Sequence, residues 1–205
     1  MIQDLIYDFD GTLSDTYPVL TNAMLDILRE HGIKEDYERA YAYFKVSVGH
    51  AIQQYDIGLD IKAFTELLLT RYHKAAVELL QPFPEAKQLL ADAVKAGKRN
   101  FIYTHSGKTV YEFLDKWGLS PYITFVLDST YNFPNKPDPS ALLFLIERFD
   151  IDPATAVMVG DREIDVMAGQ NAGMAGCLFD SDGFYPDCKA EYFVKNLTDI
   201  RKIFE

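Results

Sequence analysis

Cysteine is nearly absent from this chain of 205 residues: Cys177 and Cys188 are the only two, and they lack the spacing of a metal site. Two cysteines in a chain this long exclude a disulfide framework, so both read as reduced thiols. Clusters of Lys and Arg are missing as well. With a formal net charge of -11, the chain has no basic surface to hold a phosphate backbone, and no nucleic-acid partner is expected. No apolar run approaches the roughly 20 residues that cross a bilayer, and no charged leader precedes an apolar segment, so no membrane partner is expected and the expectation is a soluble, cytoplasmic protein. An anionic ligand on so acidic a chain requires a bound cation or a well-placed lysine to offset the background field.

The sequence does have apolar content, 48% of its residues, enough for a sizeable core in one domain carrying a smaller insert. The apolar stretch Ile2 to Asp8 reads as a first strand. Behind it the pattern turns helical: Leu20, Met24, Ile27 and Leu28 share a face and Gly32 is a plausible stop, while Phe64, Leu67, Leu68, Ala75 and Leu79 form a second stripe. Between them lie short segments rich in Tyr and Phe, around residues 41–56. Pro82 and Pro84 close the helical region.

From there strands and helices alternate. Ala86, Leu89, Leu90 and Ala93 mark a helix ended by Gly97, Asn100 to Thr104 a strand, and Val110, Phe113, Leu114 and Trp117 a helix ended by Gly118. Ile123 to Leu127, the stripe Leu142, Leu145, Ile146 and Phe149, and Ala156 to Val159 continue the alternation. Ala175 to Phe179 and Tyr192 to Val194 supply one or two further edge strands. This order implies an α/β fold with a parallel, Rossmann-like sheet and helices on both faces, formed by residues 1–15 and 81–205, plus an inserted all-helical domain at 16–80. The glycines at 169, 173 and 176 lack the order of a nucleotide loop and read as structural.

Ligands of open α/β sheets bind beyond the carboxyl ends of the strands. Those ends carry Asp8 and Asp10, then Thr104, then a loop with Lys136, then Asp161 with Asp165 four residues on. Each has a plainer reading alone. An Asp-x-Asp is often a turn or a cap, Lys136 a surface lysine between prolines, Thr104 a good strand residue, and Asp165 an acid favourable to a helix N-terminus. Their shared placement at strand ends is what promotes them. Carboxylates from two strand ends, with phosphate oxygens and water, make an oxygen cage suited to Mg²⁺.

The set resembles the haloacid dehalogenase superfamily in its phosphatase branch. Asp8-Phe9-Asp10-Gly11-Thr12 is similar to the first motif, Thr104 after Phe101-Ile102-Tyr103 to the second, Lys136 in Asn135-Lys136-Pro137-Asp138-Pro139 to the third, and Gly160-Asp161-Arg162-Glu163-Ile164-Asp165 to the fourth. The insert directly after the first motif resembles the C1 cap of phosphoglycolate phosphatases and β-phosphoglucomutases. The resemblance implies an enzyme that hydrolyses a small phosphorylated metabolite, with Asp8 as nucleophile and Asp10 as general acid and base. It also implies Mg²⁺ held by Asp8, the Asp10 carbonyl and Asp161, and phosphate gripped by Thr104, the His105 backbone and Lys136. Asp165 would brace the metal or Lys136, and Gly49 and His50 stand where related caps reach over the substrate, the plainer reading of His50 being a solvated histidine.

Within the family, Asp10 disfavours a dehalogenase, which does not use a second acid there. A phosphonatase is disfavoured because no matching cap lysine follows Gly49. A β-phosphoglucomutase-like isomerase would use the same four motifs, and a catalytically silent binding protein on the same fold is the remaining alternative.

Overall fold

The computed structural model describes residues 1–205 and divides the chain into two compact units, Met1–Leu13 with Pro82–Glu205 and Ser14–Gln81. The first unit is built on six strands: β1 (Asp4–Tyr7), β2 (Arg99–Tyr103), β3 (Phe125–Leu127), β4 (Ala156–Gly160), β5 (Ala175–Phe179) and β6 (Tyr192–Val194). All neighbours pair in parallel, in the order β3-β2-β1-β4-β5-β6. β1 and β3 are shorter than the apolar stretches suggest. Ile2 is buried yet lies before the β1 ladder begins, showing that hydrophobicity marks burial and only pairing makes a strand.

Alternation along the strands divides the core between two faces. Leu5, Tyr7, Ile102, Val157 and Val159 pack on one side with α5 (Ala86–Lys95), α6 (Thr109–Lys116) and the C-terminal Leu197, Ile200 and Phe204. Ile6, Phe101, Tyr103 and Met158 pack on the other with α7 (Ser140–Phe149) and α8 (Glu163–Asn171). β1 sits mid-sheet between β2 and β4. Successive strands therefore run outward in opposite directions in the two halves of the sheet, β1-β2-β3 and β4-β5-β6, and the crevice of this topological switch opens where β1 and β4 end.

The second unit holds four helices: α1 (Tyr17–Glu30), α2 (Tyr37–Val46), α3 (Val48–Gln53) and α4 (Ile61–Leu79). Side chains of Asp36, Ser47 and Asp60 accept backbone N–H groups at the starts of α2, α3 and α4, which fixes where each begins. The expected α1 stripe is fully buried. On α4 the buried face is Phe64, Leu68, Tyr72 and Ala76, a strict i, i+4 row, and Leu79 is exposed. The amphipathic Tyr72 takes the place that apolarity alone assigns to Ala75 and Leu79. Aromatic contacts hold the middle of the unit: Tyr41 meets Tyr17 edge-on at 5.7 Å and stacks on Tyr37 at 6.0 Å. No helix of either unit is long and apolar enough to cross a membrane.

Candidate active site

Asp8 is the first residue beyond β1, and its N–H still donates to Val159 O of β4 at 2.8 Å. The sheet therefore fixes its backbone. Gly11 turns the chain away with φ +78°, a conformation that side chains resist, and Leu13 N closes a helical turn on Phe9 O at 3.0 Å. Asp8 and Asp10 are consequently held at one strand end with their side chains in different surroundings.

Asp8 is buried, and its Oδ1 accepts from Lys136 Nζ at 2.8 Å. The same ammonium stands 2.8 Å from Asp165 Oδ1 and donates to the Tyr103 carbonyl at 3.0 Å. Lys136 therefore donates to two acceptors, just beyond β1 and on β2, and pairs with a carboxylate of α8, which is why this lysine, on a loop bracketed by prolines, is only 5% exposed. Burial alone would neutralise it. The two carboxylates outweigh that effect and keep its pKa above the ordinary lysine value.

Asp165 works in two directions. Its Oδ2 accepts the N–H of Arg162 at 3.1 Å, closing the first turn of α8, while Oδ1 faces Lys136. Burial opposes its charge, but Lys136 and then Arg162 win, and the carboxyl is held below its usual range. Gly160 is what lets α8 come so close. A Cβ at that position would lie 2.2 Å from the Cβ of Asp165, so the glycine of the fourth motif is a steric requirement of the carboxylate placement.

Asp10 has other partners. Ser106 Oγ donates to its Oδ2 at 2.6 Å, and Thr104 Oγ1 stands 3.4 Å from the same oxygen. Burial raises the Asp10 pKa, with the Ser106 hydrogen bond and then Arg162 acting against it. Asp8 is pushed up to about 7, burial outweighing Lys136. The two acids of one motif thus differ in what they touch: an ammonium for Asp8, hydroxyls for Asp10.

A single carboxylate oxygen from each of Asp8, Asp161 and Asp165 lies within 4.8 Å of the others, and all three residues are buried. Three buried carboxylates against one buried ammonium leave an excess of negative charge. Asp8 Oδ2, moreover, is buried with no hydrogen-bond partner in the protein. Hard, crowded, under-compensated oxygens are the donor set of a divalent cation, and these residues fit one. Asp10 is outside this cluster by its side chain, since that carboxyl is turned to Ser106.

His105 presents its ring as well as its backbone: Nε2 accepts the N–H of Lys136 at 3.3 Å, so the imidazole ties the second-motif loop to the third. Within the helical unit, Gly49 and His50 lie in the first turn of α3, where His50 N–H donates to Ser47 Oγ at 2.9 Å and the ring meets Tyr43 edge-on at 5.6 Å. Two residues were not anticipated from the sequence. Ser106 follows Thr104 by two places, and nothing in that spacing tells what its hydroxyl meets. Arg162, next to Asp161, adds a second cation whose field lowers Asp8, Asp10 and Asp165 alike.

Residues 5–179 match the model of the haloacid dehalogenase-like hydrolase family. The chain belongs to that family. A phosphoglycolate phosphatase of Vibrio parahaemolyticus is 30% identical to this hydrolase over 186 residues, covering 85% of this chain and 82% of its own. The crystal structure of a hydrolase from Streptococcus pneumoniae is 34% identical with a TM-score of 0.69, covering 87% of this chain and 92% of the other. A predicted phosphoglycolate phosphatase from Haemophilus somnus shares the fold across 100% of this chain and 98% of its own, with a TM-score of 0.84 at 19% identity. This haloacid dehalogenase-like hydrolase is an enzyme of the phosphatase branch, with a Rossmann-like core and a helical cap inserted after the first motif.

Proposed function

We propose that the protein is a Mg²⁺-dependent phosphomonoesterase that cleaves a small phosphorylated metabolite through an aspartyl-phosphate on Asp8. The observation that carries this reading is the Lys136 clamp: Nζ holds Asp8 Oδ1 at 2.8 Å and so fixes a buried strand-end carboxylate whose Oδ2 has no hydrogen-bond partner in the protein, which leaves one oxygen for phosphorus and one for a cation. A carboxylate oriented in this way suits attack on phosphorus, which splits one hard hydrolysis into two easier displacements.

In the first displacement an Asp8 oxygen bonds to phosphorus as the ester bond breaks, and the Asp10 carboxyl gives its proton to the departing oxygen. In the second, water attacks phosphorus while the Asp10 carboxylate takes its proton, and the Asp8–phosphorus bond breaks to release inorganic phosphate. Lys136 and Thr104 would grip phosphoryl oxygens, and the His105 N–H is placed on the same loop for that purpose. Mg²⁺ would be held by Asp8, Asp161 and the Asp10 carbonyl, and when bound it offsets the charge shared by phosphate and carboxylate. Asp165 keeps Lys136 charged and in place. Domains 1–15 with 81–205 and 16–80 would divide the labour, chemistry in the core and substrate choice in the cap. Phosphoglycolate, the substrate named for the relative in Vibrio parahaemolyticus, heads the candidates.

The test is turnover of p-nitrophenyl phosphate, followed by phosphate release from a panel of phosphorylated metabolites including 2-phosphoglycolate and sugar phosphates. The expected result is activity that requires added Mg²⁺ and falls by about four orders of magnitude or more in Asp8→Asn. Equal behaviour of wild type and Asp8→Asn would overturn the reading. Isomer formation without phosphate release would replace hydrolase by mutase.

A further inference from the structure

The hydrogen bonds around Asp10 are more selective than an acid and base in general requires. Its Oδ2 receives the Ser106 hydroxyl at 2.6 Å and has the Thr104 hydroxyl at 3.4 Å, so two hydroxyls converge on one oxygen. Ser106 is itself fixed on both sides. Its N–H donates to Thr104 Oγ1 at 3.0 Å, and its carbonyl accepts from Ser129 N at 3.0 Å. Because Thr104 Oγ1 accepts from that N–H, its own hydrogen is left to point at Asp10 or at a phosphoryl oxygen.

We infer that Ser106 is a positioning residue for Asp10: by donating to Oδ2 it locks the carboxyl plane and leaves Oδ1 as the oxygen that carries and exchanges the catalytic proton. The inference rests on the phosphatase reading above and adds to it the residue that sets the geometry of proton transfer. A carboxyl on a strand-end turn rotates about χ2 at little cost. General acid catalysis needs the proton within hydrogen-bond reach of the leaving oxygen, so a freely turning carboxyl wastes most of its encounters. A hydroxyl anchored through its own backbone on β2's loop removes that freedom without adding charge. The alternative role for Ser106 is direct contact with phosphate, which would act on binding and not through Asp10.

The two roles separate in a set of four variants, Ser106→Ala, Ser106→Thr, Asp10→Asn and the double Ser106→Ala/Asp10→Asn, each assayed with p-nitrophenyl phosphate and phenyl phosphate in Mg²⁺. kcat/KM reports the steps through formation of the aspartyl-phosphate. Phenolate is the more basic leaving group and needs the proton more. Ser106→Ala is expected to lower kcat/KM for phenyl phosphate about 10- to 100-fold and for p-nitrophenyl phosphate only about 2- to 5-fold. Ser106→Thr, which keeps the hydroxyl, is expected to restore most of the loss, and Ser106→Ala is expected to add nothing in the Asp10→Asn background. Equal losses with both esters, a full additional loss in the Asp10→Asn background, or no loss at all would overturn the inference. A melting temperature within a few degrees of wild type shows that Ser106→Ala folds. Asp8→Asn in the same assay separates the two readings: if it retains turnover the aspartyl-phosphate mechanism fails, whereas a dead Asp8→Asn with leaving-group-independent Ser106→Ala fails the positioning role alone.

Discussion

The α/β core and the helical insert bury polar groups in different ways. In the core, Asp8, Lys136, Asp161 and Asp165 are all nearly inaccessible and stand against one another, with Lys136 shared by two carboxylates. In the insert, the buried polar residues include Thr16, Thr21 and Lys45, and the ammonium of Lys45 lies 4.5 Å over the centre of the Tyr17 ring. One arrangement gathers like charges at a sheet edge, where folding alone gains nothing from them. The other buries the hydroxyls of Thr16 and Thr21 and lays the Lys45 ammonium over an aromatic ring. Unfavourable concentration of charge therefore marks the region of chemistry, and evenly distributed burial marks the region of shape.

The sharpest way to break that contrast is to remove the shared cation. Lys136→Met leaves Asp8 and Asp165 facing each other without the ammonium between them and with Arg162 as the remaining cation, and loss of one partner of a buried pair costs about 3–5 kcal/mol. Urea unfolding is expected to show that loss, and turnover is expected to vanish with it. Unchanged stability would mean that the buried charges are not coupled as the 2.8 Å contacts indicate. Next in size is an apolar truncation in the insert. Leu68, fully buried on α4, is expected to cost about 2–5 kcal/mol as Leu68→Ala. Hydrogen exchange sharpens the comparison: protection is expected to fall in α1 to α4 first, and an equal fall in the sheet would show that the two units unfold as one.

The smallest effect has the opposite sign. Tyr7 is wholly buried in β1 beside Cys177, its phenol held un-ionised by burial and its hydroxyl without a hydrogen-bond partner. Tyr7→Phe keeps the ring and deletes the unpaired group, so a gain of about 1 kcal/mol is expected in thermal or urea unfolding. A loss instead would show that the hydroxyl is bonded in solution, for example to a buried water.

Much of this was readable in order along the chain. The first four strands and their parallel arrangement follow from the alternation of strand and helix and from glycine stops, whereas Ala175–Phe179, which reads as an edge strand, lies inside the sheet between β4 and β6; Asp8, Thr104, Lys136 and Asp161 stand out because each closes a strand or follows one. The face of α4 was not readable, because Tyr72 serves as well as an apolar residue and the period alone does not choose between adjacent rows. Nor was the pairing of Asp10 with Ser106 readable, since a serine in a turn carries no mark of what its hydroxyl meets 96 positions away.

The sequence by itself determined the elements, their order and the residue types delivered to the carboxyl edge of the sheet, because hydrophobic period and turn chemistry are local properties. Tertiary structure alone decided which acid meets which partner. Lys136 reaches Asp8 and Asp165 across the ends of β1 and β4, Gly160 leaves the space that Asp165 occupies, and Ser106 turns Asp10 away from that cluster. Such choices depend on distances of a few ångströms between residues far apart in the chain, and those distances are set only when the sheet has formed.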